Sequence, residues 1–373
     1  ILTRATGGKG LTEAEVCRLF AARDSEVIQI ADAADMLRQQ VNGETVSYVV
    51  TRNINYTNIC YFKCQFCAFS KGKMSENLRG QPYDLSLKEI TKRAVEAWDR
   101  GAVEVCLQGG IHPKYTGQTY LDILKAIKSE LPDMHVHAFS PLEIYQGAQT
   151  LGVSVSDFLT QLIDAGLGSL PGTAAEILDD EVRERLCHDK LNTAEWFEVI
   201  DAAHNLGLKT TATIMFGHIE QPKHWARHLL LLREQQMKTG GFTEFVPLPF
   251  VHMESPIYLK GKSRRGPTWR EVVLMHAIAR LVLHPHILNI QTSWVKLGPD
   301  GVAACLGAGV NDLGGTLMDE SITRSAGSEH GQEMTPEAME SLLTDLQRPS
   351  CQRTTLYGKA AEKQRTASYK IST

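Results

Sequence analysis

No stretch of the 373-residue sequence approaches the roughly 20 consecutive apolar residues needed to cross a bilayer, so a membrane-spanning helix is excluded. No charged-then-apolar signal segment opens the chain, and a cytoplasmic setting is the expectation. An excess of either charge is also missing. With 39 lysines and arginines against 43 aspartates and glutamates, the formal net charge is -4. That balance makes no electrostatic case for nucleic acid or an anionic membrane, and small molecules are the expected partners. Cysteine is scarce: eight residues in a chain of this length make no disulfide framework and suit a reducing compartment.

Three of those cysteines are clustered. Cys60, Cys64 and Cys67 stand at C-x-x-x-C-x-x-C spacing in TNICYFKCQFCAFSKGK, Thr57 to Lys73, so three thiolates can converge within one short loop. A structural zinc site normally takes four ligands. Three ligands leave one position open, and a 4Fe-4S cluster held by three cysteines keeps one iron for the amino and carboxylate groups of S-adenosylmethionine. The spacing, with the aromatic Phe66 before the last cysteine, resembles the radical SAM signature. Two other readings stay open on these residues alone, a thioredoxin-like Cys64–Cys67 redox pair or half of a zinc knuckle. The first gives Cys60 no role, and the second lacks its other half, since the next cysteine, Cys106, lies in an apolar run. Cys17, Cys106, Cys187, Cys305 and Cys351 are expected as buried apolar thiols.

LTEAEVCRLFAAR, with a Thr12 to Glu15 start signal, and VIQIADAADMLRQQ read as helices and make residues 1–45 an N-terminal helical extension. From Val46 short β-type runs alternate with helical ones, which argues for parallel β/α units. The strands are placed at VSYVVTRNINYT, VEVCLQG, MHVHAFS, GSLPG, KTTATIMFG, FTEFVPLPF and ILNIQTSWV. Between them lie amphipathic runs such as LKEITKRAVEAWDRG, in which Ile90, Ala94 and Trp98 share a face. The fold class is therefore α/β, a TIM-like (β/α) barrel over residues 46–358, with residues 359–373 as a C-terminal tail. Its chemistry should sit on the loops after the strand C-termini, and the cysteine loop follows the first of them.

The same rule nominates other strand ends. Gln108-Gly109-Gly110 closes the second strand, where glycines let backbone approach a ligand. At the end of the third, alternation sends His135 and His137 to one face, with Ser140 and Glu143 beyond. In PGTAAEIL, Thr173 and Glu176 stand at capping-box spacing, so Glu176 is either a cap partner or an acceptor for a cofactor ribose or substrate amine. Gly217 closes the fifth strand, with Glu220 following. GAGVNDLGGTLMDESITRSAGSEHG cannot bury much apolar surface, and is expected to be disordered or ordered by a ligand at the barrel mouth. Its Asn311, Asp312, Glu320 and Ser321 can present donors and acceptors to a polyol or a pyrimidine edge.

RNINYTNICYFKCQFCAFSKGK together with HVHAFSP, PGTAAEIL and NDLGGTLMDESITRSAGSEHG resembles the tyrosine-cleaving half of the FO synthase family, over about Leu11 to Gly358. Single pieces are shared with menaquinone-pathway relatives that act on futalosine-type substrates, which form the alternative. The resemblance implies a radical SAM barrel with a 4Fe-4S cluster on Cys60, Cys64 and Cys67 and S-adenosylmethionine on that cluster. It implies that Phe66, Gln108, Gly109, Gly110, Glu176 and Gly217 lie against the cofactor, while His135, His137, Ser140, Asn311, Asp312 and Glu320 stand as substrate candidates from their strand ends and the late polar loop. The activity it implies is cleavage of tyrosine and transfer of its 4-hydroxybenzyl group to 5-amino-6-(D-ribitylamino)uracil, with an external electron donor. A second radical SAM half, separate or fused, would complete the deazaflavin. A start at Ile1 rather than methionine fits a chain cut from such a fusion.

Overall fold

The computed structural model describes residues 1–70 and 81–370, so the Lys71–Lys73 end of the cysteine motif lies outside the described residues. Nine strands are present among them: β1 (Val46–Val49), β2 (Thr51–Ile54), β3 (Glu104–Leu107), β4 (His135–Ala138), β5 (Ser169–Leu170), β6 (Lys209–Phe216), β7 (Phe242–Pro249), β8 (Asp312–Gly315) and β9 (Ser350–Arg353). Strands β2 to β7 form one parallel sheet in sequence order, and β8-β1-β9 form a second. Two single bridges, Phe245 to Ile290 and Gln291 to Asp312, link β7 to β8. On the other side Thr51 N donates to Thr316 Oγ1 and Asn53 N to Leu317 O, at 3.0 and 2.8 Å, so the chain after β8 lies along β2 and the two sheets curl into a ring. Helices cover its outside, so β6 and β7 are buried almost throughout, as parallel strands covered on both faces are.

Helix starts follow the sequence closely. Ser86 accepts the Glu89 amide, and Asn192 with Glu195 and Thr268 with Glu271 form reciprocal boxes that satisfy the otherwise unpaired first-turn amides. The Thr12 to Glu15 signal opens the helix Glu13–Phe20 in the same way. That helix and Ser25–Asn42 are bolted to the barrel. Phe20 meets Trp225 edge-on at 5.0 Å, and Arg270 donates to the Phe20 and Ala22 carbonyls at 2.9 and 3.0 Å.

Three segments differ from their expected form. ILNIQTSWV contributes only the bridges at Ile290 and Gln291, and a helix begins at Trp294. The glycine-rich DLGG, expected as a loop, is the fully buried β8. Close approach explains it: a side chain at Gly314 would put its Cβ 1.9 Å from Gln291 Nε2, and one at Gly315 would come within 2.2 Å of Thr51 Cγ2. In the tail segment 359–373 the helix Glu362–Ser368 docks beneath the ring, with Gln364 Nε2 donating to the Trp98 and Ala102 carbonyls at 3.2 and 2.9 Å. Of the scattered cysteines, Cys187 and Cys305 are buried, Cys17 and Cys106 partly so, and Cys351 is exposed on the outermost strand, against expectation. No helix among the described residues is long and apolar enough to cross a membrane.

Candidate active site

The loop after β2 carries the three cysteines and is pinned by backbone bonds to separate elements. Tyr61 N donates to Ile111 O, Gln65 N to Leu186 O, and Ile257 N to Gln65 O, at 3.1, 2.8 and 2.7 Å. Lys63 N donates to Asp189 Oδ2 at 2.8 Å. Burial pushes the thiols of Cys60, Cys64 and Cys67 above their ordinary value, and the nearby Lys190 ammonium draws each partly back. Lys190 is itself buried. Its Nζ lies 2.6 Å from Glu176 Oε1 and 5.3 Å from the centre of the Phe66 ring. Three half-buried thiols that share one lysine as their nearby cation are a donor set suited to an anionic iron-sulfur cluster.

Next to this loop the chain offers backbone rather than side chains. A Cβ at Gly109 would stand 2.4 Å from the Tyr56 ring, and one at Gly110 would stand 2.4 Å from Ile59 O and 2.9 Å from Cys60 Cβ. The turn is oriented from behind by Glu143, whose Oε1 accepts the Gly109 amide at 3.1 Å and the Tyr56 hydroxyl. Its other oxygen accepts the Ser140 amide at 2.7 Å. Ser140 is thus the N-cap of the helix Pro141–Leu151 and is spent there, not turned to a substrate.

Below the loop a cavity of about 380 Å³ fills the lumen. Phe66, Cys67, Gln108, Glu176 and Glu320 are on its wall, with His137 and Cys106 deeper in. Glu176 does not cap a helix, because the next one starts at Asp180; it pairs with Lys190, in a turn where its own φ is 45°. Thr173 instead donates to Gln108 Oε1 at 3.1 Å. His135 and His137 do share a direction, and both ring nitrogens reach Ser169 Oγ at 2.7 Å, but only His137 lines the cavity. Burial holds His137 down at about 4, so the ring is neutral at pH 7.

Three other candidates stand away from the cavity wall. Gly217, with φ 99°, packs against Pro267, and its amide and that of His218 bond to the buried Glu220. Asn311 is consumed by Arg280 at 2.7 Å and the Ile290 amide at 2.9 Å. Asp312, on β8, is held bidentately by Arg353 at 2.5 and 2.8 Å, and by Ser47. These bonds hold the ring together and leave neither side chain free for a ligand. Glu320 does face the cavity, while accepting the Thr323 amide at 2.8 Å. The segment around it is held by strand pairing, by a short helix at Ile322–Ser325 and by Ser321 Oγ bonding Asn55 at 2.8 Å. Sequence reasoning missed Lys190, Arg353 and Lys296, the last on the cavity wall. They are distant in the chain from the motif and carry no local pattern.

A parallel β/α ring with a three-cysteine loop on its first strand end, above a lumen cavity, is the architecture of a radical SAM enzyme. Residues 54–232 match the Radical SAM superfamily and residues 239–358 the CofH/MqnC C-terminal region. The fold is shared with methylornithine synthase (TM-score 0.71, 16% identity, 98% of both chains) and with the FeFe-hydrogenase maturase HydG of Carboxydothermus hydrogenoformans (0.69, 17%, 96% of this chain and 80% of that one). The sequence is 47% identical to the 5-amino-6-(D-ribitylamino)uracil--L-tyrosine 4-hydroxyphenyl transferase of Methanocaldococcus jannaschii, over 94% of this chain and 97% of the relative. It is 50% identical to the FO synthase of Streptomyces avermitilis over 98% of this chain but 42% of that protein, so it spans about two fifths of the length of the FO synthases it matches. The chain belongs to the radical SAM superfamily and, within it, to the family of these transferases and FO synthases. Its cofactors are those of the superfamily, a 4Fe-4S cluster and S-adenosylmethionine.

Proposed function

We propose that the protein cleaves tyrosine and transfers its 4-hydroxybenzyl group to 5-amino-6-(D-ribitylamino)uracil. The observation that carries this reading is one cavity with the cysteine loop at its mouth and polar walls beneath, in a chain aligned end to end with a transferase of that name. Those relatives favour it over a futalosine-type substrate. Bound at Cys60, Cys64 and Cys67, the cluster and S-adenosylmethionine supply the hydrogen-abstracting radical that begins the cleavage.

The chain's own share is to bind, orient and exclude water. Gln108, Gly109, Gly110 and Glu176 would border the cofactor, with Lys190 as the cation beside the thiolates and the Phe66 ring next to that lysine. Phe66, Phe69, Leu248 and Phe250 give the mouth an apolar wall that keeps solvent from reactive carbon centres. Asn53, Thr211, Thr213 and neutral His137 face the deeper part of the cavity and offer hydroxyl, amide and imidazole partners to a polyol or a pyrimidine edge.

Closing the deazaflavin ring takes a further oxidative radical step. We assign it to a second radical SAM half, separate or fused, and assign the priming electron to an external donor in the cytoplasm. Anaerobic reconstitution tests the reading. 5'-Deoxyadenosine should rise when tyrosine is added and not with phenylalanine, which lacks the phenol expected to stabilise the departing benzyl group. With diaminouracil present a hydroxybenzylated adduct should accumulate without deazaflavin fluorescence until the partner half is added. Equal turnover with both amino acids would defeat the assignment.

A further inference from the structure

Lys296 is a cation that no anion contacts directly among the described residues. It stands in the first turn of the segment Trp294–Leu306, lines the cavity and is only partly exposed. Among the described residues its ammonium makes no ion pair and no hydrogen bond. The other charges on that wall are engaged. Glu176 holds Lys190 at 2.6 Å, Arg353 holds Asp312, and Glu320 accepts the amides of Thr323 and Arg324 at 2.8 and 3.3 Å. Holding an ammonium partly away from water with no anion in direct contact is costly, and an anion that enters against it lowers that cost.

The anion's identity follows from position. The charged neighbours of Lys296 are Glu320 first and Glu176 second, whereas Lys190 lies against Glu176, Cys64 and Cys187. Glu176 is bonded to Lys190 at 2.6 Å, and it lines the same cavity as Lys296 and Glu320, a wall that Lys190 does not reach. A carboxylate chelated at the cluster belongs with Lys190. A second carboxylate, away from the cluster, belongs with Lys296, and Glu320 beside it faces the position of an α-amino group. A cation and a carboxylate side by side match the two charges of an amino acid head group.

We infer that Lys296 binds the α-carboxylate of the amino acid substrate and, with Glu320, fixes the orientation of its head group; this deepens the function proposed above and rests on it. Equilibrium titration of the cluster-loaded protein tests it directly, with L-tyrosine, with tyramine, which lacks the carboxylate, and with S-adenosylmethionine alone. The wild-type protein should bind tyrosine about 10- to 100-fold more tightly than tyramine, the range of one charge-assisted contact. Lys296→Met should lose that preference by weakening tyrosine alone, with tyramine and S-adenosylmethionine affinities and iron content unchanged.

Several results overturn the assignment: tyrosine affinity retained in Lys296→Met, equal loss of tyramine, or loss of S-adenosylmethionine affinity with the tyrosine preference intact, which would give the lysine to the cofactor. Should Lys296→Met not hold iron, Lys296→Gln is judged by the same criteria, and equal binding of tyrosine and tyramine by the wild-type protein overturns it with no variant at all. Tyrosine-stimulated cleavage of S-adenosylmethionine by the wild-type protein keeps the two proposals apart. If it is present and Lys296→Met still binds tyrosine normally, only the lysine assignment falls. If it is absent, the transferase reading falls and takes the assignment with it.

Discussion

The two sheets that close the ring are held by different forces. In β2 to β7 the residues that alternate with the cavity-lining ones are apolar, Val105, Leu107, Val136, Ala212 and Ile214 all being fully buried. In β8-β1-β9 the centre is ionic. Arg353 on β9 grips Asp312 on β8, reaches Glu244 on β7 at 3.2 Å and stacks over Tyr357 at 4.1 Å, while Ser47 on β1 bonds the same aspartate. The apolar sheet tolerates many sequences of similar volume. The ionic one needs every partner, because removing one leaves a buried charge uncompensated. The cofactor loop hangs from the first sheet, and the second forms the cavity floor.

The largest effect should come at that loop. Cys64→Ala is expected to remove the cluster and abolish turnover, while Cys305→Ala, at a buried site beside His276 and remote from the loop, keeps its iron and mainly costs packing; iron content and visible absorbance decide. A full cluster and normal turnover in Cys64→Ala would sink the ligand assignment. Next in size is Arg353→Met, which should cost about 3–5 kcal/mol in denaturant unfolding, since it strands Asp312 without its counter-ion. A loss below 1 kcal/mol would erase the contrast between the sheets.

A pH series sharpens it. One guanidinium faces two carboxylates and takes Asp312, so burial pushes Glu244 up from 4.5 to about 7 despite Arg353. The folded state thus holds this proton more tightly than the unfolded chain. The stability it contributes is complete below pH 4.5 and falls as pH rises to about 7. Glu244→Gln should flatten that slope relative to the wild type, and parallel curves would rule the protonated glutamate out. The smallest effect belongs to the apolar sheet: Ile214→Val in β6 should cost about 0.5–1.5 kcal/mol, read from the same denaturant midpoints.

The same contrast explains what was legible in the sequence. Strands rich in valine, isoleucine and threonine, such as KTTATIMF, announce themselves because their stability comes from the residues they contain. DLGG and SCQR do not, because theirs comes from Asp312 and Arg353, 41 residues apart in the chain. At the site, the cysteine spacing and Gly109-Gly110 are local patterns and could be read. Asn311 and Asp312 looked like ligands for the same reason that they serve as struts: short polar side chains next to glycine suit either task, and only the partner 20 or more residues away decides. Glu143 appeared as an appendage to a histidine strand, although its work is to hold the turn beside Cys60.

The ionic floor has one more consequence. Arg353, Asp312 and Glu244 are buried together, so among the described residues that part of the ring is plugged by charge, and the cysteine loop stands at the strand ends. On the proposed transferase reading, a substrate seated against His137 and the threonines lies beneath the nucleoside held at that loop.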